Sequence, residues 1–517
     1  MRHLPQRPSP TWTRGMTRLL LLASVGLGCG QPLGQEAATE GSTVSPLMED
    51  LGWRPIESPA AGRIRHTATL LPSCQVLIAG GYRSGSYLKN TQVFDRRSRE
   101  WTTAGDMNYA RDNHMATELL DGKVLVIGGF SVATRELNST EVYDPDTRSW
   151  TPKANLHTAR SSATATLLGS GKVLVTGGYS PEGPTNTAEL YDPITDQWTQ
   201  TNSMGAARFQ HAATLLLSGK VLVTGGQDRD LVELNTAELY DPETDQWTPA
   251  GSMEVARHLH TATRLTSRKV LVTGGSNSTT GYLKSAEVYD PDTNQWSLTE
   301  DMETAREKHT ATLLNSGKVL VTGGSNSTSA SYLGSTEVYD PKTEQWSSKE
   351  SMLTPRFSHT ATNLPSGNVL VVGGGDDGEA SATEVYTLIP PDAPLVTTPG
   401  QAQHFDTSKP EISGTAEPCS AVKVSLDGLE QERVSATASG AWSYPLPDPL
   451  QHGPHTLSVT ATDEGGNESD PAVVTFIIRR SHYGWDCATT SALPASGIWL
   501  AVILWLERRG RRRPACP

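Results

Sequence analysis

Between Trp53 and Tyr386 one segment of about 49 residues recurs seven times, a period in the range of known repeat architectures. Each copy holds a His-Thr-Ala-Thr-Leu-Leu type strand, a Ser-Gly-Lys type turn and a β-branched run ending in Gly-Gly. A Glu-Val-Tyr strand, an Asp-Pro turn and a tryptophan follow. The doublets fall at Gly80/Gly81, Gly128/Gly129, Gly177/Gly178, Gly225/Gly226, Gly274/Gly275, Gly323/Gly324 and Gly373/Gly374. Four short strands cannot bury a core alone, so the units must stack. A closed ring is expected, because closure leaves only short protected sheet edges. The seventh unit ends at Tyr386 and Thr387 without its tryptophan, and Gly52-Trp53 is expected to supply that missing strand at the seam.

The doublets with their spaced Tyr and Trp resemble the kelch repeat, whose propeller also forms the middle domain of galactose oxidase. The resemblance covers about two-thirds of the chain and implies an all-β protein with a seven-bladed propeller over 52–388. A Pro-rich linker over 389–400 marks a boundary. Short alternating strands in 401–479 then resemble a bacterial Ig-like β-sandwich. In that sandwich Asp463-Glu464-Gly-Gly-Asn467 reads as a solvated hairpin turn rather than a calcium loop.

Residues 1–29 look like an export signal, with Arg14 and Arg18 before an apolar run and Cys29 after it, as at a lipoprotein processing site. Ordinary signal cleavage is the alternative. A polar linker covers 30–51. Residues 480–517 join Cys487, a small and apolar stretch and an arginine cluster, and resemble the C-terminal sorting tails of myxobacterial surface proteins. A sortase signal at Leu493-Pro-Ala-Ser-Gly497 and a plain tail anchor are the other readings. Cys29 and Cys487 are therefore the expected processing positions, and the protein is placed at the outer surface or outer membrane of a double-membrane bacterium, anchored or released. Membrane contact is expected through a terminal anchor alone. Five cysteines do not make a disulfide framework for 517 residues, and no bridge is expected between Cys74 and Cys419. The net charge is −13; without residues 1–28, which carry four Arg, and 488–517, which carry five Arg and one Glu, it is −21. Such a surface argues against nucleic acid as a partner.

Six histidines share one register, His66, His114, His211, His260, His309 and His359, with Ala163 breaking the series. On strands that face neighbouring blades they read as structural, since a metal needs three or four converging ligands; no metal and no cofactor is expected. The arginines Arg63, Arg111, Arg160, Arg208, Arg257, Arg306 and Arg356 are expected to bond loop carbonyls or acidic neighbours. The loops after the doublets vary from unit to unit, and variation on a fixed frame is where specificity is built. Arg83, Tyr87, Asp228, Arg229, Tyr282, Tyr332, Asp376 and Asp377 are the candidate binding residues on that face. The expected function is recognition of a protein or glycan, with the sandwich as spacer, and not catalysis. A copper-radical oxidase is disfavoured because that chemistry needs a Tyr–Cys crosslink and the only propeller cysteine, Cys74, lies on a tight turn of the opposite face. A purely architectural envelope protein is the third reading.

Overall fold

The β-branched runs are the most deeply buried strands: Val221–Thr224, for example, is fully buried, as are its counterparts Val173–Thr176 and Val319–Thr322. A strand apolar on both faces must be covered on both, and radial packing of sheets supplies that cover. The computed structural model describes residues 52–60, 62–326, 332–375, 382–387 and 390–479. All of them belong to the second of two compact units, Glu49–Pro517. The terminal segments with Cys29 and Cys487 lie outside the described residues.

Seven four-stranded antiparallel sheets follow one another, each running from a Thr-Ala-Thr-Leu type inner strand outward. Blade 4 has Ala212–Leu215 innermost, then Val221–Thr224, Thr236–Asp241 and Gln246–Ser252. Blade 7 pairs Thr360–Asn363, Val369–Val372 and Thr383–Thr387 with the N-terminal strand Gly52–Ile56, and Trp53 sits opposite Tyr386. The expected seam is the observed one. Inner strands touch their neighbours all the way round, Thr360–Asn363 meeting Thr67–Leu70 of blade 1.

The doublet is the joint between blades. Gly226 N donates to Arg257 O of the next blade at 2.9 Å, and Gly374 N donates to Arg63 O, closing the circle. Gly225 has φ +59, and a Cβ there would lie 2.4 Å from the Arg257 carbonyl oxygen, so only glycine permits this approach.

The tryptophans do less than full burial would give. Each packs on the Tyr or Phe of its own blade, as Tyr240–Trp247 at 5.0 Å. Its indole N–H reaches back to the preceding blade, as Trp247 Nε1 to Asn202 O at 2.8 Å. Trp53 and Trp198 are buried, Trp247 only partly, whereas Tyr143, Tyr191, Tyr240, Tyr289 and Tyr339 are fully buried. The tyrosines carry the larger packing share.

The Ig-like domain has a three-stranded sheet, Leu395–Thr398, Ile412–Thr415 and Ala441–Tyr444, beside a larger one built on Gly453–Thr462. Trp442, Tyr444, Val459 and Phe476 fill its core. The domain is docked on the tight-turn face of the propeller. Cys74 and Cys419 form a disulfide with Cα atoms 6.0 Å apart across 345 residues of sequence, which corrects the expectation of no bridge. Cys74 has φ 67 in a slot that five other units fill with glycine, Gly122, Gly171, Gly219, Gly317 and Gly367. A left-handed cysteine is tolerated there because its sulfur is needed.

The Asp463-Glu464 turn is also corrected: it is a docking element. Glu464 Oε2 pairs with Arg96 at 2.7 Å, both side chains being buried, and its Oε1 accepts from Ser366 Oγ. Asp463 accepts from Asn368 Nδ2 at 3.2 Å. Arg96 belongs to blade 1, Ser366 and Asn368 to blade 7, so the domain straddles the seam. The double variant Cys74→Ser/Cys419→Ser is expected to lose about 2–4 kcal/mol, the usual worth of a native bridge. Denaturant midpoints equal to the parent's would show that the bridge adds nothing.

Candidate functional site

Six of the seven inner strands are preceded by Arg-x-x-His, the third by Arg-x-x-Ala, and the two outer members of that quartet are structural. The seven arginines have no exposed surface. Arg111 donates to Gly128 O at 2.6 Å, to Ser139 O at 3.1 Å and to Glu141 Oε1 at 2.7 Å, all within its own blade. Glu141 also accepts the backbone N–H groups of Asn108 and Tyr109, so one buried ion pair anchors the crossover loop. The pattern recurs with Glu189, Glu238, Glu287, Glu337 and Glu384. Blade 1 has Gln92 instead, and burial beside Arg83 draws Arg63 down to about 10.

Each histidine bonds a threonine of the preceding blade. His211 Nε2 lies 3.0 Å from Thr164 Oγ1 and 3.2 Å from Thr176 Oγ1, and His66 closes the circle on Thr360 at 3.1 Å. Burial holds His114, His211 and His309 down at about 3 and the other three well below the usual range. Blade 2 offers Met115 and Ile127 where others offer threonine, and there the next residue is Ala163. Met115, Ile127 and Ala163 pack in one apolar cluster, and Met115 Cε stands beside Gly128 much as a histidine Cε1 stands beside the other doublets. Loss of the acceptor and loss of the histidine compensate each other.

The two inner members of the quartet build the site. Arg65, Asn113, Ser162, Gln210, Leu259, Lys308 and Ser358 all have φ between 46 and 54. Their backbones form a closed ring: Arg65 N donates to Ser358 O at 3.0 Å, Asn113 N to Arg65 O at 3.2 Å, and so on through Ser358 N to Lys308 O at 3.0 Å. Seven left-handed residues on the propeller axis turn their side chains to the mouth of the central channel. With Ile64, Ala163, His211 and Phe357 they line a cavity of about 500 Å³, within the range of small-ligand sites.

Behind that ring stands a second, formed by Ile64, Asp112, Ser161, Phe209, His258, Glu307 and Phe357. Six of these seven bridge to the first residue after a doublet, as Asp112 to Phe130 and Glu307 to Ser325. Three aromatic groups stand at this level: Tyr82, Tyr87 and Phe130; Tyr179 and Phe209; and Tyr332 stacked on Phe357 at 4.5 Å. Asp112 is 1% exposed and 3.2 Å from Arg65 Nη1, and burial pushes its carboxyl up to about 6. The Arg65 guanidinium also lies over the Tyr82 ring, 5.1 Å from its centroid.

Of the residues expected from the sequence, Tyr87, Tyr282 and Tyr332 stand on the return arm of the post-doublet loops, paired to this second level or packed on it. Arg83 is exposed at a hairpin tip. Asp228 accepts from Asp230 N and Val232 N and so braces its own turn. Arg229 is exposed over a cleft beside His157 and Glu182. Asp376 and Asp377 lie outside the described residues. The mouth residues themselves were missed, although their signal was present: two positions that change from unit to unit between an Arg present in all seven and a His present in six.

Residues 65–263 and 211–392 match the KLHDC2/KLHL20/DRC7 Kelch-repeats domain family. The chain belongs to the Kelch-repeat family. Downstream of the Kelch propeller, residues 400–479 match the Bacterial Ig-like domain family. Two curated relatives are tRNA wybutosine-synthesizing protein 4 of Candida albicans, 32% identical over 78 residues, and of Saccharomyces cerevisiae, 36% identical over 75 residues. These matches take in 15% and 14% of this chain, and the chain spans 11% of each relative's length. Among solved structures, a fungal alcohol oxidase of the AA5 family in complex with copper superposes with a TM-score of 0.56 at 17% identity, over 83% of this chain and 100% of that one. The likeness concerns the fold. Among the described residues no three His, Cys, Asp or Glu side chains are placed to share a metal, and the ring histidines of this Kelch propeller each face a neighbouring blade's threonine.

Proposed function

We propose that this is an exported, cell-surface recognition protein, without catalytic activity, that binds a protein or glycan partner through the axial mouth and the aromatic groups around it. One observation carries the reading. The mouth repeats a single backbone conformation seven times while presenting six residue types, and a fixed frame with varied side chains is how specificity is built. The Ig-like domain holds the opposite face, leaving the loop face clear of it. A disulfide across 345 residues suits an oxidising compartment, in keeping with export, with Cys29 or Cys487 as the processing position. Cys74, engaged with Cys419, is not available for the crosslink that a copper-radical oxidase requires.

The test is a panel of bacterial surface proteins and glycans probed with the full chain, with Gln210→Ala/Leu259→Ala at the mouth, and with Ile194→Ser on the tight-turn face, where Ile194 is 93% exposed. The mouth variant is expected to lose its signals and Ile194→Ser to keep them. Equal profiles would remove the site, and stoichiometric copper with peroxide formed from alcohols would remove the non-catalytic reading.

A further inference from the structure

The charges of the mouth are arranged in one direction. Around the ring the order is Arg65, Asn113, Ser162, Gln210, Leu259, Lys308, Ser358, so that two cations flank one hydroxyl on consecutive positions. The ring contains no carboxylate, in a chain whose net charge is −13. The acids stand one level back and hold the cations from behind: Asp112 pairs with Arg65 at 3.2 Å, and Glu307 pairs with Lys308 at 3.0 Å while accepting from Ser276 Oγ at 2.5 Å. Asp112 is 1% exposed, and Glu307 is 8% exposed. Each cation is also set against an aromatic ring, Arg65 over Tyr82 and Lys308 5.9 Å from the centre of Phe357. Held on two sides, neither side chain must be ordered again on binding, which lowers the entropic cost of recognition. His258, between Glu233 and Glu307, belongs to the same acid-backed wall.

Building on the recognition reading above, we propose that the Lys308–Ser358–Arg65 arc takes the anionic group of an acidic saccharide, a uronate or a sugar sulfate, whose ring rests on Ile64 and Phe357. The rest of the mouth decides for a saccharide. Asn113, Ser162 and Gln210 place amide and hydroxyl groups on the facing arc, and each can donate and accept. A ligand that fills such a circle carries hydroxyls around its whole edge. An acidic peptide can meet the same groups with its backbone amides, but it carries its anionic group on a flexible side chain whose ordering costs entropy, and not on a ring that rests on Ile64 and Phe357.

The experiment is calorimetric titration of the full chain with a short oligogalacturonate, with a neutral oligogalactoside of equal length and with oligoglutamate. Binding of the uronate, weakening with added salt, is expected, together with about a tenfold loss in Lys308→Gln and retention in Lys308→Arg. Lys308→Gln leaves Glu307 its Ser276 partner, and an unchanged melting temperature confirms that the variant is folded. Equal binding of the neutral oligosaccharide would overturn the anionic arc. Binding of oligoglutamate without the uronate would overturn the saccharide assignment, and binding of none would overturn the inference, while the surface panel separately decides whether the mouth is a recognition site.

Discussion

Glu141→Ala is expected to lower stability by about 3–5 kcal/mol, the cost of leaving a buried charge without its partner. Arg111 would keep its two carbonyl acceptors, Gly128 O and Ser139 O. It would lose the carboxylate it is paired with, and the backbone N–H groups of Asn108 and Tyr109 would lose their acceptor at the same stroke. A fall in melting temperature of about 5 °C follows for a domain of this size. The reverse experiment lies in blade 1, where Gln92→Glu supplies Arg63 with the carboxylate found in the other six blades and is expected to raise the midpoint. Two unchanged midpoints would show that these pairs are broken even by the hydrogen bonds they replace.

The second large effect is acid sensitivity. The six ring histidines stay neutral in the fold because burial and the neighbouring arginines disfavour their charged form. In the unfolded chain each regains a value near 6.5. As pH is lowered through that value the unfolded state binds protons that the folded state refuses, so stability falls with pH and is fully present above 6.5. Each fully shifted group contributes roughly 1 kcal/mol per pH unit, and six act together. Thermal midpoints measured from pH 7 to pH 5 are expected to drop steeply, above the range in which surface carboxylates titrate. A flat profile over that interval would mean that the imidazoles are charged within the fold.

The fold was legible because its determinants are local and repeated. The doublets, the Trp53 strand completing blade 7, and the structural roles of the arginines and histidines all follow from a register that seven copies display at once. The candidate site was legible only in its loops. Tyr87, Tyr282 and Tyr332 were within reach because loops announce themselves by variation. Arg65, Gln210 and Lys308 vary in the same way, but they sit one residue from a structural histidine and their left-handed backbone is set by a ring of contacts between blades. The Cys74–Cys419 bridge was hidden for another reason. Pairing across two domains depends on how they dock, and its one local sign is a cysteine occupying a turn position that elsewhere favours glycine.

The exchange at the joint between blades 2 and 3 also gives the circle a direction and an origin. Met115 and Ile127 can sit only against Ala163, and every histidine-bearing unit needs a threonine upstream. Seven nearly identical wedges are therefore not interchangeable. Separating blades 2 and 3 would set an imidazole against a thioether and strand a hydroxyl elsewhere, so the adjacency of these two units is written into their mating surfaces and not only into the chain that links them.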